Sequence, residues 1–595
     1  MQDYAYEFFD DKVILRIRNR VCNTEEELLR SGLFDAVFRR YLRELEDQHS
    51  SLLEIFPQRK VDAEQIQLLK ETLIYLINLP GDKACKLVSG SEKYFRDPFL
   101  FNEFVEQLYN YWRSQHRLVI CEAVFSRLDQ RPYRAFNDMV ESLMHLVRSA
   151  YRDIQENITG NHPKIYRQVS AGAEVGAIAL PKNLMLPESW KQKLGDIYII
   201  RQALLYPPLI FSTPANKRTG VFERVDFNPL SSISITPKEW LCYPAKVGPL
   251  LVLVYFTLHQ FELGFSLCNL FEIAEDHELE RAPDAILLYG ITPANSALLK
   301  KPIFFEDQVH QLLIGTIPKD AEFSYFGYLK KLILTLHNIK RMQSGCLPIH
   351  GAIVRIKLRD RTPRTVVLVG DTGAGKSETL EALRRTASQE VEELIIIADD
   401  MGSLEFSPDG RILAYGTEVG AFVRLDDLQK DYALGQIDRT IIMNPEQVNA
   451  RVVVPVTRFE YVMHGWPVDC ILYANNYEEI DDAHPILEVY SSKEDALEVF
   501  RRGAVMSKGT TTTTGLVENY FANIFGPPQY KDLHEGLAIK YFRTFFEQKV
   551  LVGQLRTMLG IAGNEQDGPM RAAQGLLTLI RNLNCSKEII NDNGE

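Results

Sequence analysis

Thr365-Val366-Val367-Leu368-Val369-Gly370-Asp371-Thr372-Gly373-Ala374-Gly375-Lys376-Ser377-Glu378-Thr379-Leu380-Glu381-Ala382-Leu383-Arg384-Arg385 is the stretch on which the reading of this chain turns. Its first five residues are apolar and β-branched-rich, of buried-strand length. Its last eight are good helix formers. Between them, Gly370 to Ser377 fits G-x-x-x-x-G-K-[ST] at every fixed position. Strand, glycine loop and helix in that order make a phosphate cradle. The glycines let backbone N–H groups converge on one concavity, and the helix N-terminus adds positive potential. In that reading Gly370, Asp371, Thr372, Gly373, Ala374 and Gly375 line the cradle. Lys376 reaches the outer phosphates and Ser377 ligates Mg²⁺.

Twenty-three residues beyond Lys376, the apolar run Leu394-Ile395-Ile396-Ile397-Ala398 ends in Asp399-Asp400. An apolar strand that delivers carboxylates beside a phosphate loop is where a metal ligand belongs. Two adjacent acids allow one to hold a cation while the other orients water or takes a proton; hard carboxylate oxygens suit Mg²⁺ or Mn²⁺. Upstream, His350-Gly351 opens a strand over Ala352 to Lys357. A turn at Arg359-Asp360-Arg361-Thr362-Pro363 then leads into the glycine-loop strand. A hairpin of that form returns His350 to the phosphate end of the sheet, as a metal or phosphate contact.

At 595 residues the chain exceeds one ordinary core. A net charge of −12 argues against general nucleic-acid or anionic-membrane binding, so any anion site is local. The eight cysteines form no C-x-x-C pair, which speaks against zinc and disulfide frameworks and fits a cytoplasmic setting. No leader pattern or membrane-length apolar run is visible. Residues 1–160 read as mostly helical: a capping box at Thr24 to Glu27 precedes apolar residues at helical spacing, and similar patterns run from Ala63 to Leu79, Pro98 to Leu118 and Ala135 to Ile154. Residues 161–345 read as a mixed α/β domain, with strands around Ile197 to Ile200, Leu209 to Ser212, Leu250 to Phe256, Ala285 to Tyr289 and Gln311 to Ile314. Residues 346–595 carry the phosphate loop among strands, with helices from about His534 onward.

Together these motifs resemble the superfamily of phosphoenolpyruvate carboxykinase and HPr kinase/phosphorylase. Gly370 to Glu378, His350-Gly351 and Ala398-Asp399-Asp400 are closest to the HPr kinase pattern. Four further segments are similar to the ATP-type carboxykinases. Tyr325-Phe326-Gly327-Tyr328-Leu329-Lys330-Lys331 resembles Y-G-G-E-M-K-K, and its second lysine lies nineteen residues before His350, as the family's metal-binding lysine does. Glu418 to Arg424 resembles E-G-G-C-Y-A-K. Asn449-Ala450-Arg451-Val452-Val453-Val454-Pro455 resembles N-T-R-V-S-Y-P. Val505 to Gly509 and Thr510 to Thr514 sit where the family has its lid. The resemblance spans roughly 280 to 560.

The resemblance implies an α/β fold: a carboxykinase-like P-loop domain, preceded by a mixed α/β domain and the helical region. It implies Mn²⁺ on Lys331, His350 and Asp400. It implies Mg²⁺ on Ser377, and phosphate contacts from Lys376, Arg451 and Arg424. The chain lacks the family's R-S-P-K-D-K segment; Lys217-Arg218 is a candidate substitute. Three readings therefore stay open. The first is ATP-dependent decarboxylation and phosphorylation of oxaloacetate or a related keto acid, a lyase/kinase whose partners are a nucleotide and a small acid. The second is a kinase acting on a small hydroxyl compound or a protein serine, with Asp399 or Asp400 as base. The third is a non-catalytic ATP-sensing module, with residues 1–160 contacting a protein partner.

Overall fold

The computed structural model describes the chain apart from residues 1–3, 10–11, 19, 60, 122–131, 163, 168–173, 206–207, 219–221, 293–296, 360, 388–389, 426–438, 509–513, 525–529 and 592–595. It is a mixed α/β protein whose chain divides into two compact units, Met1–Pro163 and Lys164–Glu595. Among the described residues, no helix is long and apolar enough to cross a membrane.

In the first unit, Thr24 accepts a hydrogen bond from the Glu27 amide and starts the helix Glu25–Arg30. The Glu27 carboxylate answers at the Asn23 amide (2.8 Å), one residue before the expected box partner. Ser31 then ends this helix and caps the next, Gly32–Asp47, so the apolar run is split over two helices. The helices Ala63–Leu76 and Pro132–Thr159 fall where periodicity predicts them. The helix expected over Pro98 to Leu118 stops at Ser114, and His116–Cys121 is a strand. It lies parallel to Lys12–Ile17, which pairs antiparallel with Tyr4–Phe8. The mostly helical reading missed this three-stranded sheet because each strand is short. Its stability comes from sinking Val13, Leu15 and Ile17 into the helices' core, a contact that no local pattern records.

In the second unit the strand Leu347–Leu358 organises the sheet that carries the glycine loop. Its start pairs with Met401–Phe406, and its later part lies between Arg364–Val369 and Val391–Ala398. Beyond Arg364–Val369 come the parallel strands Cys470–Asn475 and Leu551–Arg556. These strands are apolar on both faces because both faces are covered. Ala352, Val354, Ile356, Val366 and Leu368 pack on the helices Lys376–Thr386 and Asp567–Asn591. Ile349, Ile353, Val367 and Val369 enter the larger core shared with the helices Phe326–Gln343 and Lys531–Glu547. The helical C-terminal stretch expected from His534 is interrupted by Leu551–Arg556, a strand whose apolar sequence fits an interior sheet position.

A second sheet, order Tyr198–Leu205, Trp240–Val247, Leu250–Thr257, Ala285–Ile291 and Leu312–Pro318 along its middle, holds the strands expected between 161 and 345 except the one around Leu209. Leu209–Phe211 leaves it and pairs with Ile441–Met443 in a four-stranded sheet that also contains Gly420–Arg424 and Arg451–Pro455.

Candidate functional site

The glycine loop follows the strand Arg364–Val369 and opens the helix Lys376–Thr386. Gly373 and Gly375 adopt φ of 79° and 89°, a region that L side chains disfavour. A Cβ on Gly375 would also lie 2.6 Å from Thr557. The loop is braced from behind: Thr557 Oγ1 donates to the Ala374 carbonyl (2.7 Å) and Asn476 Nδ2 to the Gly373 carbonyl (2.9 Å). Lys376 is buried, with Nζ donating to the carbonyls of Gly370 (2.7 Å) and Asp371 (3.0 Å). Thr372 and Ser377 are exposed.

Asp399 and Asp400 follow the strand Val391–Ala398 and face different neighbours. Ser377 Oγ donates to Asp399 Oδ1 (3.3 Å). Asp400 Oδ1 lies 3.0 Å from His350 Nε2, and its Oδ2 accepts from Lys330 Nζ at 2.7 Å. Burial and the neighbouring Asp400 raise the Asp399 pKa. Burial pushes on Asp400 as well, but Lys330 and His350 hold its carboxyl well below the usual range. The expected hairpin is present: Gly351 pairs with Val369, and the Gly370 amide donates to the His350 carbonyl (3.0 Å). His350 is thereby held beside the loop, with no exposed surface.

Lys330 and Lys331 lie on the helix Phe326–Gln343 and have different roles in the site's electrostatics. Lys330 is buried between Asp400 and Glu418, the latter at 3.2 Å. Burial opposes its charge, but the two acids prevail and raise its pKa. Burial pushes Glu418 up to about 8, which Lys330 only partly offsets. Lys331 lines the cleft beside them. Burial, reinforced by Arg218, lowers its pKa to about 7 against the pull of Asp400 and Asp371.

Basic side chains from other elements also line the cleft. Arg424 and Arg451 are cross-strand partners, and the Arg451 guanidinium lies 5.5 Å from the Phe422 ring centre. Lys217 and Arg218 join them because the preceding segment is tied down: Thr213 N donates to Asn444 Oδ1 (2.6 Å), and Asn216 Nδ2 to the Val448 carbonyl (2.9 Å). Burial lowers the Arg218 pKa.

Most of these groups line one cleft of about 460 Å³, while His350 and Glu418 are buried and do not line it. It contains the loop residues Asp371, Thr372, Gly373, Gly375, Lys376 and Ser377; Gly370 and Ala374 support the loop from beneath. Asp399, Asp400, Lys331, Arg424 and Arg451 also line it. Hard oxygens at Ser377 and Asp399 suit Mg²⁺. Among the described residues, no three His, Cys, Asp or Glu side chains converge on one point. The lowered pKa of Lys331 makes a neutral amine accessible near pH 7 in the same cleft as Asp400.

Sequence reasoning passed over Lys330, Asn476, Asn519 and Thr557, which hold the site together through hydrogen bonds from distant elements. Only Lys330 had a signal, its adjacency to Lys331. The expected lid threonines Thr510 to Thr513 and the turn residue Asp360 lie outside the described residues; the flanking hairpin Ala504–Lys508 and Thr514–Glu518 contributes Val505, Ser507 and Val517 to the cleft. In comparison with known proteins, the chain matches no family model and no curated protein.

Proposed function

We propose that this protein is an ATP-dependent phosphoryl-transfer enzyme of the carboxykinase type, which decarboxylates a small β-keto acid such as oxaloacetate and phosphorylates the resulting enolate. The observation that carries the reading is the convergence, on one cleft, of the glycine loop with Lys376, the Ser377–Asp399 pair, Asp400 backed by the buried His350, and the arginines 218, 424 and 451. The glycine-loop amides and Lys376 bind the nucleotide's phosphates, with Lys376 exchanging its loop carbonyls for phosphate oxygens. Ser377 and Asp399 would hold Mg²⁺; His350, Asp400 and Lys331 would hold Mn²⁺. When bound, the two cations supply charge neutralisation to the phosphate and enolate oxygens. Arg451 and Arg424 orient the transferring phosphoryl group, and Arg218 with Lys217 binds the acid's carboxylate. The apolar lining from Phe422, Val454 and Val456 limits water access to the transferring group.

One observation favours a second reading, a kinase with a hydroxyl acceptor. The raised pKa of Asp399 suits a general base, which would take the hydroxyl proton as the phosphoryl group transfers. A coupled assay separates the two, using purified protein, ATP, Mg²⁺ and Mn²⁺ with oxaloacetate and following phosphoenolpyruvate. Product formation that is lost in Lys331→Ala supports the carboxykinase reading. Absence of product, from protein that binds ATP, transfers the weight to the hydroxyl kinase.

A further inference from the structure

His350 presents both ring nitrogens to oxygen atoms. Nε2 lies 3.0 Å from Asp400 Oδ1, and Nδ1 faces the backbone carbonyl of Ala522. A carbonyl can only accept a hydrogen bond, so Nδ1 must carry the proton. With no cation present, Nε2 donates a proton to Asp400, the contact that helps hold that carboxyl down; a cation that took the place of this proton would meet the Nε2 lone pair and the carboxylate together.

The Ala522 carbonyl reaches His350 through an unusual backbone. Phe521, Ala522 and Asn523 have φ of 47°, 56° and 62°, three successive non-glycine residues in the left-handed region. Such residues are strained and persist only where their surroundings over-determine them. Here the surroundings do so. Phe521 is buried among Phe500, His534 and Phe542. The Asn519 amide donates to the Gly503 carbonyl (3.2 Å), and a Cβ on Gly503 would come within 1.8 Å of the Asn519 carbonyl oxygen. Asn519 Nδ2 also donates to Asp371 Oδ2 (2.9 Å), which ties the same turn to the glycine loop.

We infer that the strained turn Phe521–Asn523 is a positioning element, which holds His350 as its Nδ1–H tautomer so that Nε2 is presented, with Asp400 and Lys331, as a divalent-cation ligand. The inference rests on the metal site in the proposed function, and it adds the element that prepares this site before the cation arrives.

Two measurements test it. The first is ¹⁵N NMR of ¹⁵N-histidine-labelled full-length protein, at a pH where the imidazoles are neutral, with His350→Gln assigning the resonances. A pyrrole-type Nδ1 and a pyridine-type Nε2 at His350 are expected, and the reverse assignment overturns the inference. The second compares Mn²⁺ binding, by electron paramagnetic resonance, in Ala522→Val and Ala522→Gly. Valine resists the left-handed region and glycine accepts it. Ala522→Val is expected to weaken Mn²⁺ binding by about 10-fold and to mix the His350 tautomers, whereas Ala522→Gly keeps the wild-type tautomer. An Ala522→Val protein with wild-type tautomer and affinity overturns the role of the turn. If Ala522→Val does not fold, the wild-type tautomer decides. Mn²⁺ binding with an Nε2–H imidazole overturns the turn's role alone; an Nδ1–H imidazole in a wild-type protein that binds no Mn²⁺ overturns the metal site itself.

Discussion

Arg424 and Arg451 stand directly opposite one another on neighbouring antiparallel strands, and both line the cleft that faces the glycine loop. Like charges in that register repel, and an anion between them would turn repulsion into binding. Two effects of opposite sign are therefore expected from Arg424→Gln. The ligand-free protein gains about 0.5 kcal/mol in urea unfolding as the repulsion is relieved, and turnover falls at least about tenfold, the loss of one charge-assisted contact. A variant that loses both stability and turnover would point to a structural role for Arg424.

Lys376→Ala removes two buried hydrogen bonds to the loop carbonyls and the group expected on the phosphates. A stability loss of about 1–3 kcal/mol is expected, from carbonyls left without a donor. Nucleotide affinity, measured by calorimetry, falls by at least about 100-fold on loss of a charge-assisted phosphate contact. Unchanged ATP binding in this variant would remove the phosphate-loop reading.

Gly375→Ala combines a positive φ of 89° with a Cβ placed 2.6 Å from Thr557. Strain alone costs about 1–3 kcal/mol. The nearest atoms are Thr557 Cβ and Oγ1, with the methyl at 3.1 Å, so Thr557→Gly, which removes all three, is expected to restore part of that loss. Thermal unfolding of the two single variants and the double variant measures the coupling.

The lowered pKa of Lys331 makes a prediction with a definite sign. The folded protein releases this proton near pH 7, while the unfolded chain keeps it to about the ordinary lysine value of 10.5. Between those limits the unfolded state binds more protons, so stability rises with pH, at up to about 1.4 kcal/mol per unit, and the slope vanishes below both pKa values. Glu418 acts in the other direction: raised from 4.5 to about 8, it lowers stability as pH rises across that window. Urea unfolding of the wild type against Lys331→Met across pH 6 to 10 isolates the first effect. The stability difference should move in favour of the wild type above about pH 7. Mn²⁺ affinity should rise up to about pH 7 and level off above it, because only the neutral amine is a ligand. A pH-independent difference between the two proteins would show that Lys331 stays charged.

What the amino-acid sequence determined by itself is local. Val366 to Val369, the glycines and the helix formers after Lys376 prescribe strand, loop and helix through adjacent residues, and the structure has them at Arg364–Val369 and Lys376–Thr386. The hairpin bringing His350 to the loop and the strand delivering Asp399 and Asp400 were legible for the same reason, since each depends on periodicity and a turn. The tertiary structure alone decided what depends on long-range pairing. The strand His116–Cys121 forms because Lys12–Ile17 is there to pair with it, against a helical local pattern. Arg218 enters the cleft because Leu209–Phe211 pairs with Ile441–Met443, more than 200 residues later. Lys330 takes the buried ion pairs with Asp400 and Glu418 while both lysines line the cleft, a placement set by the helix's packing and invisible in two adjacent lysines. The carbonyl that orients His350 comes from Ala522, whose backbone conformation its own residue type disfavours. No local preference specifies that conformation; the packing of Phe521 and the close approach of Gly503 impose it.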